Sequence, residues 1–169
     1  MRIKTKRLTL RTLTRADISA MVTLLNDYDV SRWLTVVPFP YAQADGHEFL
    51  DFLDTADPLE ALAITAPEGL VGVVGIGSSL GYWLGRKYHG NGYMSEAAGA
   101  LVEHYFTSRE ADQLTSGYFS ENAASANVLT KLGFKPNGVE QVQSRAQGIE
   151  VTLEKVILSR KDWQTRHAH

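Results

Sequence analysis

The stretch "GYWLGRKYHGNGYMSEAAGALVEHYF", residues 81–106, joins an aromatic strand to an amphipathic helix through a loop of small residues. Gly90 and Gly92 flank Asn91 just ahead of that helix, whose apolar stripe is Ala97, Ala98, Leu101, Val102, Tyr105 and Phe106. Glycine loses more backbone freedom on folding than any other residue, so a loop of this kind is costly to fix. A helix start gives it a use, because the first N–H groups lack partners inside the helix and the dipole is positive there. A turn of small residues lets a bulky anion approach those donors, and the stretch reads as a phosphate cradle. The plainer alternative is a simple strand-to-helix turn. Two specific phosphate loops are excluded. No Gly-Lys-Ser/Thr ending follows, and Ser95 stands where a dinucleotide fingerprint needs its third glycine.

Outward from the loop, the spacing predicts a mixed α/β domain. "RLTLRTL" (7–13) alternates as an opening strand, and Thr14 followed by Asp17 starts a helix over about 15–26, with Ile18, Met21, Val22 and Leu25 inside. The connector "VSRWLTVVPFPY" (30–41) is interrupted by Pro38 and Pro40, and a second helix covers "QADGHEFLDFLDTA" (43–56). Strands follow at "EALAITA" (60–66) and "LVGVVGIG" (70–77), then a tight antiparallel hairpin into "LGYWLG" (80–85). After the central helix come a strand "QLTSGYF" (113–119) and a short helix in "NAASANVLTKLGF" (122–134) that stops at Gly133. Two more strands, "FKPNGVEQVQ" (134–143) and "IEVTLEKVILS" (149–159), close the order. The sheet starts largely antiparallel, and no repeat or linker divides residues 1–169, which are expected to form one domain.

Composition bounds the function. With 44% hydrophobic residues, 21% charged residues and a net charge of −2, nothing points to nucleic acid or an anionic membrane as a partner. The absence of cysteine excludes disulfides, thiolate metal sites and a cysteine nucleophile, and makes the cytoplasm the default location. The start carries no signal peptide, and no apolar run is long enough to span a bilayer. The closing "HAH" (167–169) reads as a frayed polar terminus rather than a metal site, so no metal is expected. Composition does not fix the oligomeric state, and a homodimer stays open.

The block around the loop, followed by "SENAASANVLTKLGF" (120–134), resembles the GNAT superfamily of acyl-CoA-dependent N-acyltransferases. Within it, the chain is most similar to the branch of ribosomal-protein N-terminal acetyltransferases. The family loop reads Gln or Arg, two residues, Gly, one residue, then Gly or Ala; Lys87, Gly90 and Gly92 take those places. The family's Asn-x-x-Ser and Leu-Gly-Phe are matched by Asn122, Ser125, Leu132, Gly133 and Phe134. "RWLTVVPFPY" and "LSRKDW" fit the same branch. The resemblance implies a mostly antiparallel, splayed sheet flanked by helices, and acetyl-CoA as cosubstrate.

It also implies roles. Main-chain N–H groups of the loop (Lys87, His89, Gly90, Asn91, Gly92) and of Tyr93 and Met94 would bind the pyrophosphate of coenzyme A. The strand "YWL" would splay from "SGYF", so that main-chain groups of Trp83 and Leu84 meet the pantetheine and an N–H near Leu84 polarises the thioester. Asn122 would reach the pantetheine arm or cap its own helix. Many relatives protonate the thiolate with a tyrosine at the place of Leu129, and Ser125 is the expected substitute. No strand glutamate precedes "GYW"; Glu121 or Tyr118 would serve through water, and Glu96 reads as a solvated first-turn residue. Without a strong base, an α-amine of pKa ~7.8 is the easier acceptor. It costs about 1 kcal/mol to deprotonate at pH 7, against roughly 4–5 kcal/mol for lysine at ~10.4. Trp33, Phe39 and Tyr41 are candidates for the acceptor pocket. Two other readings stay open: a coenzyme-A-binding module without catalysis, and a transferase acting on a small-molecule amine.

Overall fold

The computed structural model describes residues 1–167, so Ala168 and His169 of the terminal "HAH" lie outside the described residues. Strands β1 (Arg2–Lys4), β2 (Thr9–Thr12), β3 (Leu62–Ala66), β4 (Gly69–Ile76), β5 (Leu80–Leu84), β6 (Gln113–Phe119), β7 (Lys135–Ser144) and β8 (Ile149–Ser159) form one sheet. Their order is β1-β2-β3-β4-β5-β6-β8-β7. Every neighbouring pair is antiparallel except β5 and β6. Helices α1 (Ile18–Leu25), α2 (Tyr28–Ser31), α3 (Gln43–Leu53), α4 (Tyr93–Ser108), α5 (Ala123–Leu132) and α6 (Arg160–Arg166) flank it.

The two faces carry separate cores, as the alternation of the strands requires. On one face, Leu101, Phe106 and Leu129 of α4 and α5 pack with Leu10, Ile64, Val74 and Leu158. On the other, Ile18, Met21 and Leu25 of α1 and Leu50 of α3 pack with Ala63 and Val73. The stripe expected on the central helix is this contact: Ala97, Ala98, Leu101, Val102 and Phe106 are buried, and Tyr105 is partly so.

The structure differs from the sequence reading at three points. The opening strand begins at Thr9, not Arg7, because Thr5 folds the chain back. Its N–H donates to Leu8 O at 2.9 Å and its Oγ1 accepts from Leu8 N–H at 3.0 Å, which frees residues 2–4 to pair as β1. The first helix enters through a 3₁₀ turn (Arg15–Asp17), with Asp17 closing back on the Thr14 N–H at 2.9 Å. Helices α2 and α6, too short to carry a recurring apolar stripe, were not foreseen. Each is set by a cap, Asp27 Oδ1 on the Asp29 N–H at 3.0 Å and Ser159 Oγ on the Asp162 N–H at 3.0 Å. No helix among the described residues is long and apolar enough to cross a membrane.

Candidate functional site

Strands β5 and β6 run parallel yet share a single register pair, Leu80 with Ser116. Ser116 Oγ–H closes that end by donating to Leu80 O at 2.8 Å. Beyond it the strands part, and a cavity of about 410 Å³ opens between them, reaching from Tyr82 and Leu84 to Asn122 and Ser125 and up to Gly90 and Gly92. The ladder tells which main-chain groups face the gap. Gly85 N–H donates to Val71 O at 2.9 Å, so alternate residues of β5 exchange bonds with β4 and Trp83 pairs with Val73. Tyr82 and Leu84 therefore turn their N–H and C=O groups toward the gap. Trp83 was expected to do so, but its main chain belongs to β4 and its ring packs against the second core.

The glycine loop forms the roof. Gly90 and Gly92 hold φ of +80° and +75°, a left-handed conformation that costs other residues roughly 1–2 kcal/mol. A side chain at Gly90 would meet open space, so backbone shape rather than crowding selects glycine there. Gly92 caps α4, and the first intrahelical bond runs from Glu96 N–H to Gly92 O at 3.1 Å. The N–H groups of Tyr93, Met94 and Ser95 consequently have no partner among the described residues. All three residues line the cavity. Glu96 is not solvated as expected. Its Oε1 lies 2.7 Å from Arg7 Nε, and its Oε2 accepts from the Arg7 N–H at 2.8 Å and from Thr5 Oγ1. Burial alone would raise its pKa, but the bonds from Thr5 and Arg7 hold it below the usual carboxylate range.

Across the gap, Asn122 caps α5 by accepting the Ser125 N–H at 3.2 Å. Ser125 Oγ lies 2.7 Å from Tyr82 Oη. Tyr82 is a candidate site residue that sequence reasoning missed, as are Asp29 and Ser95, although it stands inside the quoted "GYW". Strand alternation places it on the face opposite Trp83, and that parity was the available signal. Burial pushes its pKa up to about 12, with the Ser125 bond pulling slightly the other way, so the phenol keeps its proton through neutral pH.

The other expected residues divide. Trp33, Trp83, Leu84, His89, Gly90, Gly92, Tyr93, Met94, Asn122 and Ser125 line the cavity. His89 Nε2 sits 2.9 Å from Leu84 O, which occupies one gap-facing acceptor. Lys87 and Asn91 stand outside the wall, Lys87 Nζ lying 5.2 Å from the Tyr88 ring centre. Tyr41 is only 5% exposed, sealed in the second core, and burial pushes its pKa up to about 12; it is not placed to touch an acceptor. Phe39 packs on Tyr28 with ring centres 5.3 Å apart, outside the wall. Glu121 is exposed at the β6–α5 junction, and Tyr118 sits on β6 beside Glu154 of β8; neither lines the cavity. Asp29 is the one carboxylate on the wall among the described residues, and it lies 2.7 Å from Arg86 Nη2. No cluster of three or more metal-ligating side chains occurs among the described residues.

Against known proteins, the acetyltransferase (GNAT) domain family matches residues 7–135. An uncharacterized N-acetyltransferase, p20, of Bacillus licheniformis is 24% identical over 160 residues, spanning 85% of this chain and 88% of its own length. A GNAT-family acetyltransferase from Bacillus anthracis has the same fold with a TM-score of 0.80 at 21% identity, covering 95% of this chain and 99% of that one. A ribosomal L7/L12 alpha-N-protein acetyltransferase in complex with coenzyme A matches with a TM-score of 0.77 at 20% identity, over 94% of this chain and 98% of that one.

Proposed function

The chain belongs to the acetyltransferase (GNAT) family, and from that premise we propose that it transfers an acetyl group from acetyl-CoA to a primary amine, with a peptide α-amine favoured, by direct attack in a ternary complex. The observation that carries the reading is the opening of β5 from β6 beneath the α4 N-terminus, which brings unpaired main-chain donors and a hydroxyl pair to one cavity.

Coenzyme A fits this donor set. Its pyrophosphate would accept from main-chain N–H groups of the loop and of Tyr93, Met94 and Ser95, charge-assisted bonds that exceed neutral ones in strength. Its pantetheine would run along the gap as an added strand, using the N–H and C=O of Tyr82 and the N–H of Leu84. Whichever of these N–H groups lies beside the acetyl group would polarise the thioester carbonyl instead of pairing with a pantetheine amide. With no cysteine in the chain, a cysteine-linked acyl-enzyme cannot form. The amine nitrogen would attack the carbonyl carbon, and the C–S bond would break with its electron pair going to sulfur. The sulfur would take a proton from Ser125 Oγ, and the proton released by the new amide nitrogen would return the serine to its hydroxyl.

Tyr82 supports that step without becoming charged. A phenol is a stronger donor than an aliphatic alcohol, so Tyr82 O–H pointed at Ser125 Oγ leaves the serine proton free for sulfur. The amine arrives without a dedicated base, because among the described residues the wall holds no carboxylate except Asp29, already paired with Arg86. That favours a low-pKa amine such as a peptide α-amine, and the coenzyme-A-bound neighbour is named an alpha-N-protein acetyltransferase. The cysteine-free chain suits action in the cytoplasm.

Thiol release from acetyl-CoA over a panel of peptide N-termini, lysine side chains and small amines tests this. Peptide α-amines are expected to dominate at neutral pH. Lysine side chains outcompeting them would overturn the acceptor, and acetyl-CoA binding with no release for any amine would overturn the chemistry.

A further inference from the structure

We propose that Arg7, from the turn between β1 and β2, is a positioning residue that sets the direction of the loop's anion-binding donors. The inference rests on the cavity's taking coenzyme A.

Three contacts and a close approach to Gly92 converge on this one side chain. Arg7 Nη1–H donates to Asn91 O at 2.8 Å, and Nε–H donates to Glu96 Oε1 at 2.7 Å. The guanidinium carbon lies 4.8 Å from the ring centre of Tyr93, and Nη2 is 3.4 Å from where a Gly92 side chain would begin. One planar fork therefore touches the loop, the first residue of α4 and its first-turn carboxylate. Arg7 main-chain N–H and Thr5 Oγ1 occupy the other carboxylate oxygen of Glu96, so the turn is fastened to the helix start from both sides.

The chemistry follows from peptide geometry. In a planar trans peptide the carbonyl of one residue and the N–H of the next point in opposite directions. A donor holding Asn91 O on the Arg7 side therefore aims Gly92 N–H away from Arg7, and Gly92 lines the cavity. The left-handed φ of +80° and +75° at the flanking glycines permits other loop shapes as well, since glycine is restricted so little. Arg7 selects one. It also polarises that peptide group and neutralises Glu96, a carboxylate that would otherwise oppose an anion arriving at the α4 N-terminus. Lysine could supply the charge but not the fork.

The test compares acetyl-CoA with S-acetyl-pantetheine, a donor that lacks the pyrophosphate, in wild type, Arg7→Ala and Arg7→Lys, with thermal melts alongside. A positioning role lowers the acetyl-CoA to acetyl-pantetheine ratio of kcat/KM by about 10-fold or more in Arg7→Ala, through KM rather than kcat, with Arg7→Lys falling between. A merely structural role lowers both donors together and leaves the ratio unchanged, which would overturn the proposal while leaving the acetyltransferase reading intact. Arg7→Lys equal to wild type would overturn the fork in favour of charge alone. If Arg7→Ala does not fold, Arg7→Lys carries the test, with a drop in ratio of about 3-fold expected. A wild type that binds no coenzyme A would sink both ideas at once, and calorimetry on the unmodified protein detects that separately.

Discussion

A serine hydroxyl is a weak acid, and what sets Ser125 apart from a serine on any helix face is the phenol 2.7 Å from its oxygen. Removing the hydroxyl in Ser125→Ala is expected to lower kcat by about 100-fold while changing KM for acetyl-CoA less than about 3-fold, as befits a proton needed in the transition state. Tyr82→Phe keeps the ring and loses one hydrogen bond, worth about 1.4 kcal/mol, so kcat should fall about 10-fold. Steady-state kinetics at saturating amine reads both. Equal and large KM increases would instead make the pair a binding contact. Asn122, Ser125 and the two loop glycines were legible in the sequence because their spacing is local. Tyr82 was not, since its partner lies 43 residues away and only the strand parity singled it out. Tyr41 was misjudged for a related reason: an aromatic beside prolines looks alike in sequence whether it faces a groove or a core.

Among the elements, the approach to α1 shows how a cap ties stability to pH. Arg11 makes two bonds of 2.8 Å to the Asp17 carboxylate, which also accepts from the Thr14 N–H at 2.9 Å. Burial pushes the Asp17 pKa up, but these bonds outweigh it and the net direction is down. The folded value thus lies below the unfolded one, near ~3.9, so the stabilisation is full above that pH and fades as pH falls through the folded value. Asp17→Asn should cost about 2–3 kcal/mol in denaturant melts at pH 7, with the gap to wild type narrowing below about pH 4. A gap independent of pH would contradict it. The loop before α4 gives a second test at this scale. Gly92→Val should weaken coenzyme A binding by about 10-fold or more while costing roughly 1–2 kcal/mol of stability, because a β-branched residue resists φ of +75°. The central helix, the hairpin and the sheet strands other than β1 were legible from apolar period and turn residues. The 3₁₀ entry, α2 and α6 were not, being short segments fixed by caps rather than by a long periodic stripe.

At the scale of the whole molecule, one sheet with a core on each face is interrupted where its two halves meet, and the interruption is the site. The alternating strands and one strong helix stripe came through in the sequence, while burial of both sheet faces was expected only through the family resemblance. The break itself did not follow from periodicity and was expected only through the family resemblance; the structure locates it beyond Leu80 and Ser116. A ligand that bridges both halves should stabilise the fold as one unit. Coenzyme A at about 100 times its Kd contributes about 2.7 kcal/mol, which for a domain of this size raises Tm by about 5–10 °C. The most direct measurement is a crystal structure with acetyl-CoA bound. The pyrophosphate oxygens are expected within about 3.2 Å of main-chain nitrogens of the Gly90–Gly92 loop and the α4 start, with pantetheine along β5 and sulfur within reach of Ser125 Oγ. Acetyl-CoA bound elsewhere, or held there by side chains with the loop N–H groups unengaged, would contradict it.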